Sequence, residues 1–245
     1  MEIQTKNLPN EQEEEEVYFG ESFFVNDSYE MRTFTYGSHV LRLQCLQSAS
    51  TDYDLTGQLV WPGAELLNHH ISQCSDFLTG CSIIELGSGV GVTGLLCSRF
   101  CRQLVLTDHN EIVLKVLKQN IDLQLSSGIS TCAEITSEKL EWGNHDQLSE
   151  ILKRFPEGFD LIIGADICFQ QCSIPLLFET VEQLLRFGDK SGKFILAYVS
   201  RAKSIDAMVA NEAKKHGLQM HEVAGSRTLV AGGSCEGVIF EFILN

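Results

Sequence analysis

The sequence predicts a single α/β domain, a mostly parallel sheet with helices on both faces, preceded by a β-hairpin and an acidic tail. Three observations carry this. Short apolar runs alternate with amphipathic stretches from residue 82 to residue 223, the rhythm of strands joined by crossover helices. One of those runs, Ser82–Leu86, leads straight into a glycine-rich turn, Gly87-Ser88-Gly89-Val90-Gly91. A last apolar run, 237–243, has no helix before it, so the loop 224–236 can return it antiparallel beside its predecessor.

In chain order, residues 1–16 hold a Glu-rich run, Glu11 to Glu16 with only Gln12 interrupting. Such a segment is expected to be a disordered, solvated tail. Residues 31–45 alternate, with Phe34, Tyr36, Leu41 and Leu43 about a Tyr36-Gly37-Ser38 turn, which reads as a β-hairpin. A polar loop, SASTDYD, follows and ends near Gly57. The chain therefore divides into a tail (1–16), a hairpin extension (17–56) and a main domain (57–245). That domain opens with WPGAELLNHHISQC, a helical pattern with Pro62 in its first turn, where proline is tolerated. Further strands are expected at 103–107, 131–135, 159–165, 193–199 and 218–223, and helices at 91–100, 110–125, 173–187 and 204–216. No internal repeat is visible.

Composition narrows the class. The 245 residues are 44% hydrophobic and 21% charged, as in an ordinary globular domain. No apolar run approaches the ~18 residues of a membrane span, and the N-terminus lacks the basic and apolar regions of a secretory leader. The net charge of −15 repels phosphate backbones, which argues against nucleic acid and fits a basic protein partner better. Nine cysteines, an odd count with no C-x-x-C, read as reduced thiols. No metal site is expected. Reduced thiols suit the cytoplasm, with the nucleus as a second compartment; a monomer is expected.

The glycine turn is the sharpest local feature. Glycines permit tight turns and close ligand approach, and a following helix N-terminus favours negative charge. Gly89, Gly91 and Gly94 also fit the dinucleotide-binding spacing, and a tight turn with no ligand has the same local pattern. Asp108 ends the next strand, QLVLTD, 21 positions after Gly87. A carboxylate there can accept from both hydroxyls of a ribose; it is also a good N-cap for the helix that follows. Glu85 stands two positions before the glycines. A nicotinamide dehydrogenase needs a further catalytic domain, and the strand rhythm here uses the rest of the chain.

Five segments occur in order: GQLVWPGAELL, IIELGSGVGVTGL, LVLTD, LEWG and FDLIIGADICF. Together they resemble the protein-lysine methyltransferase branch of the class I, seven-strand, Rossmann-like methyltransferases, known as methyltransferase family 16. The likeness covers about residues 57–200, and more loosely extends to 243. It implies S-adenosylmethionine (AdoMet) as cofactor. By this resemblance Trp61 closes over the cofactor, while Glu85, Gly87, Ser88, Gly89 and Gly91 form the loop under its amino-acid end. Asp108 binds the ribose, Trp142 lies beside the adenine, and Ala165 is the small residue ending the fourth strand. Asp166 and Phe169, in Asp166-Ile167-Cys168-Phe169, match the family's D-x-x-Y/F motif and would be the catalytic pair on the acceptor side. Many relatives carry Tyr where this chain has Phe169, so no phenolic hydroxyl is available there. Packing roles for Trp61, Trp142 and Phe169, and a capping role for Asp166, are the alternatives. The expected function is methylation of a lysine side chain on a protein substrate. Methylation of protein histidine or a small metabolite, and a non-catalytic AdoMet-binding module, remain open at this point.

Overall fold

The computed structural model describes residues 29–47, 53–128, 132–188 and 190–245. The acidic run expected to form a tail lies outside the described residues. The hairpin is present as β1 (Tyr29–Tyr36) and β2 (His39–Leu46), joined at Gly37-Ser38. A 3-10 turn, Tyr53–Gln58, precedes α1 (Pro62–Gln73), which starts on Pro62 as expected. The α/β core then runs β3 (Ser82–Leu86), α2 (Val92–Cys97), β4 (Gln103–Asp108), α3 (Glu111–Ser126), β5 (Glu134–Lys139), α4 (His145–Arg154) and β6 (Leu161–Ala165). It continues through α5 (Ile174–Arg186), β7 (Lys193–Val199), α6 (Lys203–Lys215), β8 (Leu218–Glu222), β9 (Thr228–Val230) and β10 (Cys235–Leu244).

The main sheet has the order β5-β4-β3-β6-β7-β10-β8, with short β9 also paired to β10. Strands β3 to β7 run parallel. The final strand is antiparallel as expected, but it inserts between β7 and β8 and pairs with both. Successive side chains of a strand point to opposite faces, and the two apolar layers follow that rule. Ile83, Leu104, Leu106, Leu161 and Ile163 pack with α1, α2, α3 and the hairpin. Their neighbours Ile84, Val105 and Ile162 pack on the other side with α4, α5 and α6.

Three elements differ from the sequence expectation. The strand expected at 131–135 forms at 134–139, because its register is set by pairing from Gln103↔Glu134 to Asp108↔Lys139 and not by its few apolar residues. Helix α4 was not expected. Only Leu148 and Ile151 of it are buried, so its apolar signal is thin, yet Asn144 caps it by accepting the Gln147 N–H at 3.1 Å. The strand β9 is three residues long, too short for a periodicity to show.

One buried side chain bolts the hairpin to the core. Asn120 of α3, fully buried, accepts the Gln44 N–H at 2.7 Å and donates to the carbonyls of Gln44 (3.0 Å) and Val90 (2.9 Å). A buried amide is stable only when so satisfied, and this one joins β2 directly to the glycine turn.

Candidate active site

The carboxyl ends of β3, β4 and β6 open into one cavity of about 450 Å3, within the ~300–1,000 Å3 range of small-molecule sites. It lies where the strand order reverses, with β4 on one side of β3 and β6 on the other, which is where open α/β sheets take their ligands.

Gly87, Ser88 and Gly89 line the cavity. Gly87, Gly89 and Gly91 have φ of 64°, 53° and 87°. Ser88 ties the turn to the next strand: its N–H donates to the Thr107 carbonyl (2.8 Å) and its hydroxyl accepts the Thr107 N–H (3.0 Å). Gly91 is not part of the lining; it precedes α2 and sits behind the turn.

Glu85 is buried against the cavity and accepts the Gly94 N–H at 3.1 Å. Burial pushes its carboxyl up to about 8, against the opposing hydrogen bonds from Ser88 and Gly94. A carboxyl that titrates higher in the folded chain than in the unfolded one stabilises the fold while protonated. That contribution is complete below its unfolded value near 4.5 and is lost as pH rises toward about 8. A tenfold change in proton affinity corresponds to about 1.4 kcal/mol, so the loss is large enough to read in a melting curve. Glu85→Gln keeps a neutral acceptor for Gly94. The variant is therefore expected to melt higher than wild type at about pH 8.5 and no higher at about pH 5, as read by thermal denaturation. A wild-type melting temperature as flat with pH as the variant's sinks this account.

Asp108 ends β4, with Oδ2 accepting the Gly89 N–H (3.1 Å) and Oδ1 accepting the Asn110 N–H (3.1 Å). Burial raises its carboxyl above the ordinary range, partly offset by those backbone donors. It does not cap α3. Asn110 does, accepting from Ile112 and Val113. Trp61 stands just before α1, and its indole N–H donates to the Thr56 carbonyl at 2.9 Å. A Cβ built on Gly87 would come 3.4 Å from the Trp142 ring, so that ring lies directly against the glycine turn. Ala165 closes β6 beside it.

Asp166 and Phe169 also line this cavity. The Asp166 side chain is 1% exposed, and its carboxylate is engaged: Oδ2 accepts the Gly63 N–H at 3.0 Å and Oδ1 pairs with Arg201. It does not cap α5, whose N-cap is Ser173, itself without a side-chain cap bond. Phe169, 37% exposed, is at the cavity rim. Sequence reasoning missed the Thr56-Gly57 turn, His109, Glu141 and Arg201. His109 and Glu141 each adjoin a residue already singled out, so extending the motifs by one position finds them; Arg201 has no local signal.

The model of the lysine methyltransferase family matches residues 41–216. The chain belongs to this family. Mouse protein N-lysine methyltransferase METTL21A is 29% identical over 157 residues, 63% of this chain and 65% of the mouse protein. The protein N-terminal and lysine N-methyltransferase EFM7 of Yarrowia lipolytica is 32% identical over 166 residues, 61% of this chain and 59% of its own length. This chain thus covers less than two thirds of either relative. Among solved structures, magnesium protoporphyrin IX methyltransferase of Synechocystis superposes with a TM-score of 0.54 at 12% identity, over 74% of this chain and 78% of that one. That likeness speaks for a Rossmann-like methyltransferase fold.

AdoMet is the cofactor that goes with this family, and the cavity's residues fit it. A buried acid at the end of β4 suits ribose hydroxyls, and Trp142 puts an aromatic ring on the cavity wall, which suits an adenine. Glu85 sits beside the glycine turn, where a ligand ammonium would favour its ionised form. The turn itself leaves no room for side chains, since a Cβ at Gly89 would lie 2.6 Å from the Gly57 carbonyl oxygen.

Proposed function

We propose that this chain transfers a methyl group from AdoMet to a lysine side chain of a protein. The observation that supports it most is the continuity of one cavity. It runs from Glu85, Gly87 and Asp108, which suit the cofactor, to Ala165 and Phe169 at the rim. When bound, the cofactor supplies an electrophilic methyl carbon. The chain's own residues must align the amine with it and keep water away. A lysine must also arrive uncharged, and an apolar entrance lowers its pKa by disfavouring the cation. Leu59, Val60, Phe169 and Leu176 supply such an entrance, where the proton is lost to bulk water, and the Phe169 ring face can stabilise the positive charge that builds on the nitrogen as the methyl group is transferred. Tritiated AdoMet, incubated with the protein and a cell extract, tests the reading. Label recovered on a protein lysine, located by mass spectrometry, supports it; label on histidine or in small molecules replaces it with those readings, and no label at all with a silent module.

Phe169→Ala opens the entrance to water. The rate per folded molecule is expected to fall at least about tenfold, or ~1.4 kcal/mol of barrier, with AdoMet affinity little changed. Phe169→Tyr keeps the ring and should be tolerated. A residue that only packs would instead lower the melting temperature and leave the folded fraction fully active. Normal turnover by folded Phe169→Ala would remove this residue from the site.

A further inference from the structure

We propose that Arg201 is a positioning residue, which acts through Asp166 to hold the first turn of α1, with Trp61, against the carboxyl end of β6. The inference rests on the reading of the cavity as an AdoMet site. Asp166 is the one non-glycine residue among those described with positive φ, 60°. Aspartate tolerates that region better than most residues, but glycine tolerates it freely, so the side chain has to justify its presence. Its two oxygens face two different elements. One accepts the backbone N–H of Gly63, in the first turn of α1; the other pairs with Arg201, just past the end of β7. The approach is close enough that a Cβ on Gly63 would lie 2.7 Å from the Asp166 Cβ. The Asp166 N–H donates to the Ala197 carbonyl of β7 at 2.9 Å, so the backbone at this point is fixed as well.

The arrangement has a definite logic. The carboxylate is buried, and a buried charge needs a partner of opposite sign. Arg201 provides it, with a side chain 31% exposed that keeps part of its guanidinium in water. Its Nη1 also reaches the Val199 carbonyl at 3.4 Å. With the charge balanced, the carboxylate can serve as acceptor for Gly63. Gly63 follows Trp61 by two residues, and Trp61 and Ala64 are part of the cavity wall. Without Arg201 the carboxylate is buried and unpaired. It recovers by turning toward water, which releases Gly63 and shifts that wall, or by taking up a proton, which high pH opposes, so the comparison below is made at about pH 8.5. Asparagine at 166 would need no counter-charge, and its amide oxygen could still accept from Gly63.

This difference gives the test. Arg201→Met, alone and combined with Asp166→Asn, is titrated with AdoMet by calorimetry. In parallel, the emission of Trp61 is recorded without ligand in a Trp142→Phe background, where Trp61 is the only indole, the chain having two. The single variant is expected to bind AdoMet roughly tenfold more weakly and to shift Trp61 emission to the red. The combined variant should return both readings close to wild type, within about threefold in affinity. A fold-stabilising role alone predicts wild-type affinity and emission in the folded fraction of Arg201→Met, and that result overturns the proposal. So does a combined variant no better than the single one. Should Arg201→Met fail to fold, Arg201→Gln carries the same comparison. Wild-type protein that binds no AdoMet would overturn the cofactor reading, while the emission comparison still decides the role of Arg201.

Discussion

Gly89→Val is expected to abolish AdoMet binding while the protein remains folded. Gly89 sits at φ 53°, a region that costs an ordinary L-residue roughly 1–2 kcal/mol, and more for a β-branched one. The larger effect is steric. A Cβ there would lie 2.6 Å from the carbonyl oxygen of Gly57 and 3.4 Å from its Cα. That contact is with backbone, so no side-chain rotation relieves it. Either the glycine turn or the 56–61 segment must move. Both line the cavity, and the second carries Trp61, whose indole is held by the Thr56 carbonyl. The Gly89 N–H also donates to Asp108, so displacement of the turn disturbs that cavity carboxylate too. The damage stays at the ends of the strands, away from the apolar layers, and a stability of ~5–15 kcal/mol can absorb it. Calorimetric titration with AdoMet, alongside circular dichroism and a melting curve, checks both halves. Binding within about tenfold of wild type would refute the assignment of this turn.

What was legible in the sequence follows from which forces act locally. Strands β3 and β4 are buried on both faces, so their apolar runs stand out and their bounds could be read. Helix α4 buries two residues and had no such signal. The offset of β5 arose because an edge strand takes its register from its neighbour. Within the site, residues fixed by the strand ends were readable: Asp108, Ala165 and the glycine turn sit on the cavity because strand–turn–helix geometry puts them there. Gly91 belonged to the same motif, yet its place in the turn sets it behind the cavity. The partners that come from elsewhere in the chain were not readable. Gly57 reaches Gly89 through a 3-10 turn, and Arg201 reaches Asp166 across 35 positions; neither contact leaves a mark on local periodicity or spacing. The sequence also suggested that Gly89 would be needed for the ligand or for the turn. The structure supplies a third reason, the approach of a second segment of the wall.

Asp108→Ala is expected to weaken AdoMet by ~2–3 kcal/mol, the usual worth of hydrogen bonds to a charged group, or roughly 30- to 150-fold in Kd. The geometry makes the argument sharper than the spacing did. Each carboxylate oxygen already accepts one backbone N–H, from Gly89 and from Asn110. The exposed His109 ring also approaches Oδ1, at 3.4 Å; a carboxylate has about four acceptor positions, so Oδ2 keeps one for a ribose hydroxyl, and Oδ1 takes a second where that ring turns aside. Burial works against the charged form, and hydroxyl donors arriving with the ligand would favour it again. The same backbone bonds create a rival explanation. Asp108 could matter only as an anchor for the glycine turn, and its loss would then weaken any ligand without the ribose being involved. An AdoMet analogue that lacks the 2′-hydroxyl separates the two. Wild type should bind the analogue more weakly than AdoMet, because an acceptor loses its donor. The Asp108→Ala variant should bind the two alike, because the acceptor is already gone; the missing energy is shared and the losses do not add. An anchor-only role predicts the same ratio of affinities in both proteins. Equal ratios would keep Asp108 in the scaffold and leave the ribose contact to be found elsewhere in the cavity.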